Sequence, residues 1–192
     1  MSTAAVPATV IALVEYWADR LEAAGLTQAD GFGQGTLTAF DEAAWLVLWS
    51  LGLPLDELDE EENTPVAPAA AAKVATLLEA RISTRKPAAY LTREAWLQGV
   101  RFYVDERSIV PRSFIAELLA GGAIDPWLGD ATQRVLDLCT GNGSLAVLAA
   151  MSYPDVSVDA ADVSHDALAV ARINVDRHGL QERITLLHSD GL

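Results

Sequence analysis

The chain has 192 residues, 51% of them apolar, and carries a formal net charge of −14. That is length for one large domain or two small ones, with too much apolar content for a disordered segment. The acidity argues against a nucleic-acid groove, which needs clustered Lys and Arg, and suits a basic protein partner.

Cys139 is the one cysteine, so no intrachain disulfide can form and nothing favours an oxidising compartment. It reads as a small buried filler at the end of a strand. The amino terminus lacks a basic region followed by an apolar core, and no apolar run reaches membrane-spanning length. A soluble, cytoplasmic protein is expected, with no membrane partner.

Residues 1–8 read as a loose tail. Val10, Val14, Trp17 and Leu21 recur at helical spacing until Gly25, which predicts a first helix with Trp17 in its core. Gly31 to Gly35 is a loop, and no Lys-Ser/Thr follows it to make a phosphate loop. Thr38 and Asp41 form a capping box for a second helix, with Trp45, Leu48 and Trp49 inward and Gly52 and Pro54 as its stop. Asp56 to Glu62 is an acidic, solvated turn. Pro65 or Pro68 then opens a third helix, faced by Val74, Leu77, Leu78 and Ile82.

Arg85-Lys86-Pro87 marks a boundary. Beyond it, apolar residues from Tyr90 to Val104 interrupted by Gly99 predict a β-hairpin. Ser113 caps a short helix from Phe114 to Leu119 that Gly121-Gly122 ends, and Asp125-Pro126 begins a linking turn.

Val135 to Gly143 is the stretch that points to chemistry. An apolar strand breaks at a Gly-x-Gly turn and runs into a helix near Ser144. Glycine there permits positive φ and close approach of a ligand to the main chain, and the first N–H groups of the helix favour a polar or anionic group. Asp137 inside the strand costs desolvation unless it meets donors. A second strand, Val156 to Val163, contains Asp162, about 25 residues on, near the separation at which a nucleotide-type fold places a ribose-binding carboxylate. A helix capped by Ser164 and stopped by Gly179 follows, then a third strand, Ile184 to His188, before Asp190. Three strands with acids at or near their carboxyl ends suggest one cleft at the edge of a parallel sheet. His165, His178 and His188 are not grouped at ligand spacing, so no metal site is assigned.

Asp-Leu-Cys-Thr-Gly-Asn-Gly-Ser-Leu-Ala with Asp162 and Ser189-Asp190 resembles the class I S-adenosylmethionine-dependent methyltransferases. Phe102-Tyr103-Val104 and Val110-Pro111-Arg112 resemble the HemK-type protein glutamine methyltransferases. The release-factor branch of that family usually reads Pro-Arg-Pro-x-Thr-Glu where this chain has Pro111-Arg112-Ser113-Phe114-Ile115-Ala116-Glu117. With Phe32-Gly33-Gln34-Gly35-Thr36 and Tyr90-Leu91-Thr92-Arg93-Glu94-Ala95-Trp96, it looks like the branch that methylates ribosomal protein L-three.

The resemblance implies an α/β fold: a helical substrate-recognition domain (1–84), a hairpin and linker (85–130), and the first half of a Rossmann-like cofactor sheet (131–192). It implies S-adenosylmethionine as cofactor. Thr140, Gly141, Asn142 and Gly143 would cradle its methionine part and Asp137 its amino group. Asp162 would accept both ribose hydroxyls, Asp190 and Gly191 would lie beside the adenine, and Arg112 would orient the interdomain loop.

The family's reaction centre is Asn-Pro-Pro-Tyr. The chain's asparagines are Asn63, Asn142 and Asn174, and none precedes proline. The chain therefore reads as the amino-terminal portion of a longer enzyme, with no catalytic residue of its own, inactive alone, and with one edge of its central strand bare and prone to association. A release-factor glutamine methyltransferase, a DNA-adenine enzyme of the same motif class and a non-catalytic recognition fragment are the competing readings.

Overall fold

A computed structural model describes residues 9–26, 36–129 and 131–191. The loop predicted at Gly31 to Gly35 and the tail at 1–8 lie outside these residues. The chain divides into two compact units, Met1–Thr92 and Arg93–Leu192.

The first unit is helical. Helix α1 (Val10–Ala23) starts where the Thr9 hydroxyl accepts the Ala12 N–H, and it buries Val10, Leu13, Val14, Trp17 and Leu21. Helix α2 (Ala39–Leu51) opens on a true capping box: Thr38 and Asp41 satisfy each other's main-chain N–H groups. Gly52 closes it at φ +71°, a left-handed cap that only glycine reaches without strain. Trp45 and Trp49 are half-buried rather than fully inward.

The acidic run is not all turn. Leu58–Glu61 forms one helical turn, α3. Helix α4 (Pro68–Thr84) begins with Pro68 in its first turn, and α5 (Ala88–Thr92) takes residues that the alternating pattern assigned to the hairpin. Leu13, Leu21, Leu46, Leu48, Val74 and Leu78 form the centre of the core, each 2% exposed or less.

The second unit is α/β. Strands β1 (Ala95–Leu97) and β2 (Val100–Phe102) pair antiparallel around Gln98-Gly99. Helix α6 (Phe114–Ala120) is capped by the Ser113 hydroxyl, and Asp125–Trp127 is a 3-10 turn. Then β3 (Arg134–Leu138), α7 (Ser144–Ser152), β4 (Ser157–Asp162), α8 (His165–Arg177) and β5 (Ile184–His188) alternate. The three strands are parallel in the order β3-β4-β5. Phe102, Ala146, Val147, Val158, Val175 and Ile184 pack between helices and sheet.

Two strand ends differ from the pattern. β3 stops at Leu138, and β4 spans Ser157–Asp162 rather than Val156 to Val163. Cys139 is not a buried strand filler: it is exposed, past the strand, with φ +60°. The reversal toward the glycine turn begins at that residue, so its side chain is carried out of the pleat. Among the described residues β3 is an outer strand, pairing with β4 alone, and Leu136 and Leu138 are 47% and 41% exposed.

Candidate functional site

Parallel pairing sets Leu138 beside Ala161 and places the turn after β3 next to the end of β4. The Thr140 N–H continues the ladder to the Ala161 carbonyl at 2.9 Å. One residue on, the Gly141 N–H donates to Asp162 Oδ2 at 2.9 Å, while the Ser164 N–H donates to Oδ1 at 2.9 Å. Asp162 therefore braces the glycine turn and the start of α8 together. Each of its oxygens keeps acceptor capacity for a further donor, because an ionised carboxylate offers about four lone-pair sites.

The glycines have separate reasons. Gly141 sits at φ +57° with nothing within 4 Å of where a Cβ would be, so its backbone faces open space. Gly143 sits at φ +78°, and a Cβ there would meet the Ala171 Cβ at 3.1 Å. The first leaves the chain open to a ligand; the second lets the turn seat closely against α8.

Asp137 is half-buried within β3. Its Oδ2 accepts the Thr140 hydroxyl at 2.5 Å. Burial pushes its carboxyl above the usual range; the Thr140 hydroxyl and the Ala146 main-chain N–H pull it back, and the nearby Asp162 pushes it up again. The desolvation cost expected for this residue is thus met by a hydroxyl and a helix N–H, both neutral.

Asn142 is 3% exposed, and its Oδ1 accepts the Ser144 N–H at 3.2 Å. At the end of β5 the Ser189 N–H donates to the Asp162 carbonyl at 3.1 Å, and its hydroxyl donates to the Gly191 carbonyl at 2.6 Å. Asp190 and Gly191 are exposed beyond that tie. The structure thus brings Asp137 of β3 and Asp162 of β4 against the Thr140–Gly143 turn and hangs Asp190 and Gly191 beside it. Arg112 stands on a different element, exposed just before α6 and next to the buried Pro111.

Open backbone at Gly141, spare acceptor sites on Asp162 and a carboxylate at Asp137 with neutral partners fit a ligand that carries hydroxyls and a cationic amine. S-adenosylmethionine has both.

Two features went unread along the chain. The imidazoles of His165 and His188 stack, centroids 3.8 Å apart and planes 14° apart, with His188 Nε2 donating to the Val163 carbonyl. Their separation in sequence concealed that they share the sheet's carboxyl end. The second is Asn174, fully buried in α8, whose amide bonds to Tyr103 and Asn142. A buried polar residue on an apolar helical face was the available hint. Among the described residues no group of three or more His, Cys, Asp or Glu is placed to hold a metal ion, and no helix is long and apolar enough to cross a membrane.

Residues 124–192 match the methyltransferase small domain family model. Over 99% of its length the chain is 52% identical to a ribosomal protein uL3 glutamine methyltransferase of Burkholderia pseudomallei, of which it covers 61%. A protein of that name from Bordetella pertussis is 51% identical over 91% of this chain and 57% of its own length. One from Neisseria meningitidis is 47% identical over 95% of this chain and 59% of its own. The chain spans less than two thirds of the length of these curated relatives. The resemblance drawn from the motifs is borne out: the chain is similar over nearly all of its length to ribosomal protein uL3 glutamine methyltransferases, and most of its second unit matches a methyltransferase domain model.

Proposed function

We propose that the protein, at the length of its relatives, transfers a methyl group from S-adenosylmethionine to the side-chain amide nitrogen of a glutamine in ribosomal protein uL3. The observation that carries this reading is the joining of the Thr140–Gly143 turn to Asp162 through the Gly141 N–H, in a chain whose relatives bear that name.

The residues divide the work. Asp162 accepts the ribose hydroxyls, and Asp190 and Gly191 flank the adenine. The Thr140–Gly143 main chain cradles the methionine part, with Asp137 toward its amino group. Arg112, just before α6, orients its own loop near the cofactor. The cofactor, once bound, supplies an electrophilic sulfonium methyl. An amide nitrogen is a poor nucleophile because its lone pair is delocalised, so positioning carries much of the rate. The family assigns that positioning to Asn-Pro-Pro-Tyr, which these 192 residues do not contain; alone they are expected to be inactive.

The helical unit is the natural holder of the protein substrate, and the net charge of −14 favours a basic one in the cytoplasm. The same charge disfavours the DNA-adenine reading. The outer edge of β3, flanked by half-exposed Leu136 and Leu138, is a template for a further strand.

Calorimetric titration with S-adenosylhomocysteine tests the cofactor assignment. Wild type should bind, and Asp162→Ala should bind about 10- to 100-fold more weakly, as expected for losing charge-assisted hydrogen bonds. Equal affinity in the variant would sink the ribose assignment. Methylation of uL3 by the 192 residues alone would overturn the role given to Asn-Pro-Pro-Tyr.

A further inference from the structure

The cofactor turn is tied to Ala161, Asp162 and Asp137 and seats against Ala171. A further link runs to a residue with no assigned role. Asn174 lies in α8 at 0% exposure. Its Oδ1 accepts the Tyr103 N–H at 2.7 Å, and its Nδ2 donates to the Tyr103 carbonyl at 3.0 Å and to the Asn142 carbonyl at 2.8 Å. Both amide hydrogens and the amide oxygen are thereby used. Tyr103 is 71 residues away in sequence and Asn142 is 32.

The consequence for the turn follows from peptide geometry. In a trans peptide the C=O and the next N–H point opposite ways. The Asn142 carbonyl is held by Asn174, and the Gly143 N–H on the same peptide donates to the Thr140 carbonyl at 2.9 Å. That peptide plane is pinned at both ends. Asn174 lies three residues after Ala171, on the same helical face, and Ala171 supports Gly143 from below.

The other end of the clamp is the segment leading to Arg112. α8 grips it at successive points. His178 Nε2 donates to the Arg101 carbonyl at 3.0 Å, Asn174 takes both main-chain groups of Tyr103, and the Arg177 guanidinium lies 5.9 Å from the Tyr103 ring centroid. The Tyr103 hydroxyl donates to Asp105 Oδ2 at 2.8 Å, which carries the tie further along the chain.

We propose that Asn174 is a positioning residue for the cofactor site: one buried amide sets the glycine turn and the segment leading to Arg112 in a single arrangement. This deepens the function proposed above and rests on its cofactor assignment. No other side chain reproduces the pattern. Aspartate keeps the acceptor for Tyr103 N–H and aims its other oxygen at two carbonyls; leucine fills the space and bonds to nothing.

The test compares Asn174→Leu and Asn174→Asp with Val175→Ala, a fully buried α8 neighbour whose apolar side chain offers no hydrogen bond. Two quantities are read well below each variant's Tm: amide hydrogen exchange, and affinity for S-adenosylhomocysteine. Asn174→Leu should speed exchange at Tyr103 and Gly143 about tenfold or more relative to the amides of β4, and weaken binding about tenfold. Asn174→Asp should loosen Gly143 and weaken binding while sparing the Tyr103 amide. Val175→Ala should lower Tm, raise exchange without singling out the turn, and leave affinity unchanged. If the Asn174 variants behave as Val175→Ala does, the residue is structural alone and the proposal fails. If wild type binds no S-adenosylhomocysteine, the cofactor assignment falls and the positioning role with it, while selective exchange at Tyr103 and Gly143 still decides whether the clamp itself is real.

Discussion

Each unit draws a carboxylate away from solvent, fully at Glu42 and by half at Asp137, and the two are treated differently. In the helical unit Glu42, 2% exposed, meets the fully buried Arg81 guanidinium at 2.5 Å across 39 residues and accepts the Thr36 hydroxyl at 3.1 Å. In the α/β unit Asp137 meets a hydroxyl and a main-chain N–H, with Asp162 adding negative charge. Burial pushes both carboxyls up, and hydrogen bonds pull both back. For Glu42 the opposing pull comes from a cation, so the charge is closed within the fold. For Asp137 it comes from neutral donors in a turn that opens on Gly141. A carboxylate neutralised inside the core supports structure; one that meets neutral donors beside an open backbone can receive a cationic group.

The sharpest way to break this contrast is to halve the ion pair. Arg81→Met or Glu42→Leu alone should cost about 3–5 kcal/mol in urea unfolding, because the remaining charge is stranded in the core. The double variant should recover most of that loss, since two apolar side chains leave no charge behind. Equal losses in single and double variants would show that packing, not charge closure, sets the cost.

Asp105 offers an intermediate case in the α/β unit. The Arg107 guanidinium, and after it the Tyr103 hydroxyl and the Arg107 main-chain N–H, hold its carboxyl at about 2. Its folded value lies below the unfolded one, so its contribution is present above about pH 4 and is lost as pH falls toward 2. Arg107 is 39% exposed, so solvent screening trims the worth of the pair. Asp105→Asn should cost about 1–2 kcal/mol at neutral pH, and the gap to wild type should close in acid. A gap that stays constant from pH 7 to pH 2.5 would remove the ionic explanation.

The smallest stability effect is expected at Asp137, and it has the opposite sign. Its folded value is raised, so the favourable contribution exists below the unfolded range and disappears as pH rises through the folded value. Asp137→Asn should therefore be as stable as wild type or more so at neutral pH, by on the order of 1 kcal/mol or less, while binding S-adenosylhomocysteine less well. Lower stability together with unchanged affinity would make Asp137 a structural residue like Glu42.

Much of this molecule is legible one segment at a time. The Thr38–Asp41 box, Pro68 at the start of α4, Ser113 and Ser164 as caps, and Gly52 as a stop all act over one helical turn, and each forms as the sequence predicts. Residues Ile184–His188 form the third strand with the bounds expected from the sequence. Errors fall where a local pattern meets a tertiary demand. Ala88–Thr92 is too short for periodicity to tell helix from strand. Cys139 looks like strand because it follows an apolar run, yet the chain must already reverse there at φ +60°.

The residues alone determined the class of fold, the glycine turn with its two acids, and the family that these resemble, because those signals lie in short contiguous stretches. The tertiary structure decided which carboxylate found a cation, that two histidines stack, and that Asn174 holds a turn 32 residues away to a segment 71 residues away. Nothing in the spacing of such residues announces their partners; the pairing exists only once parallel strands and their helices bring distant main chain within hydrogen-bond reach.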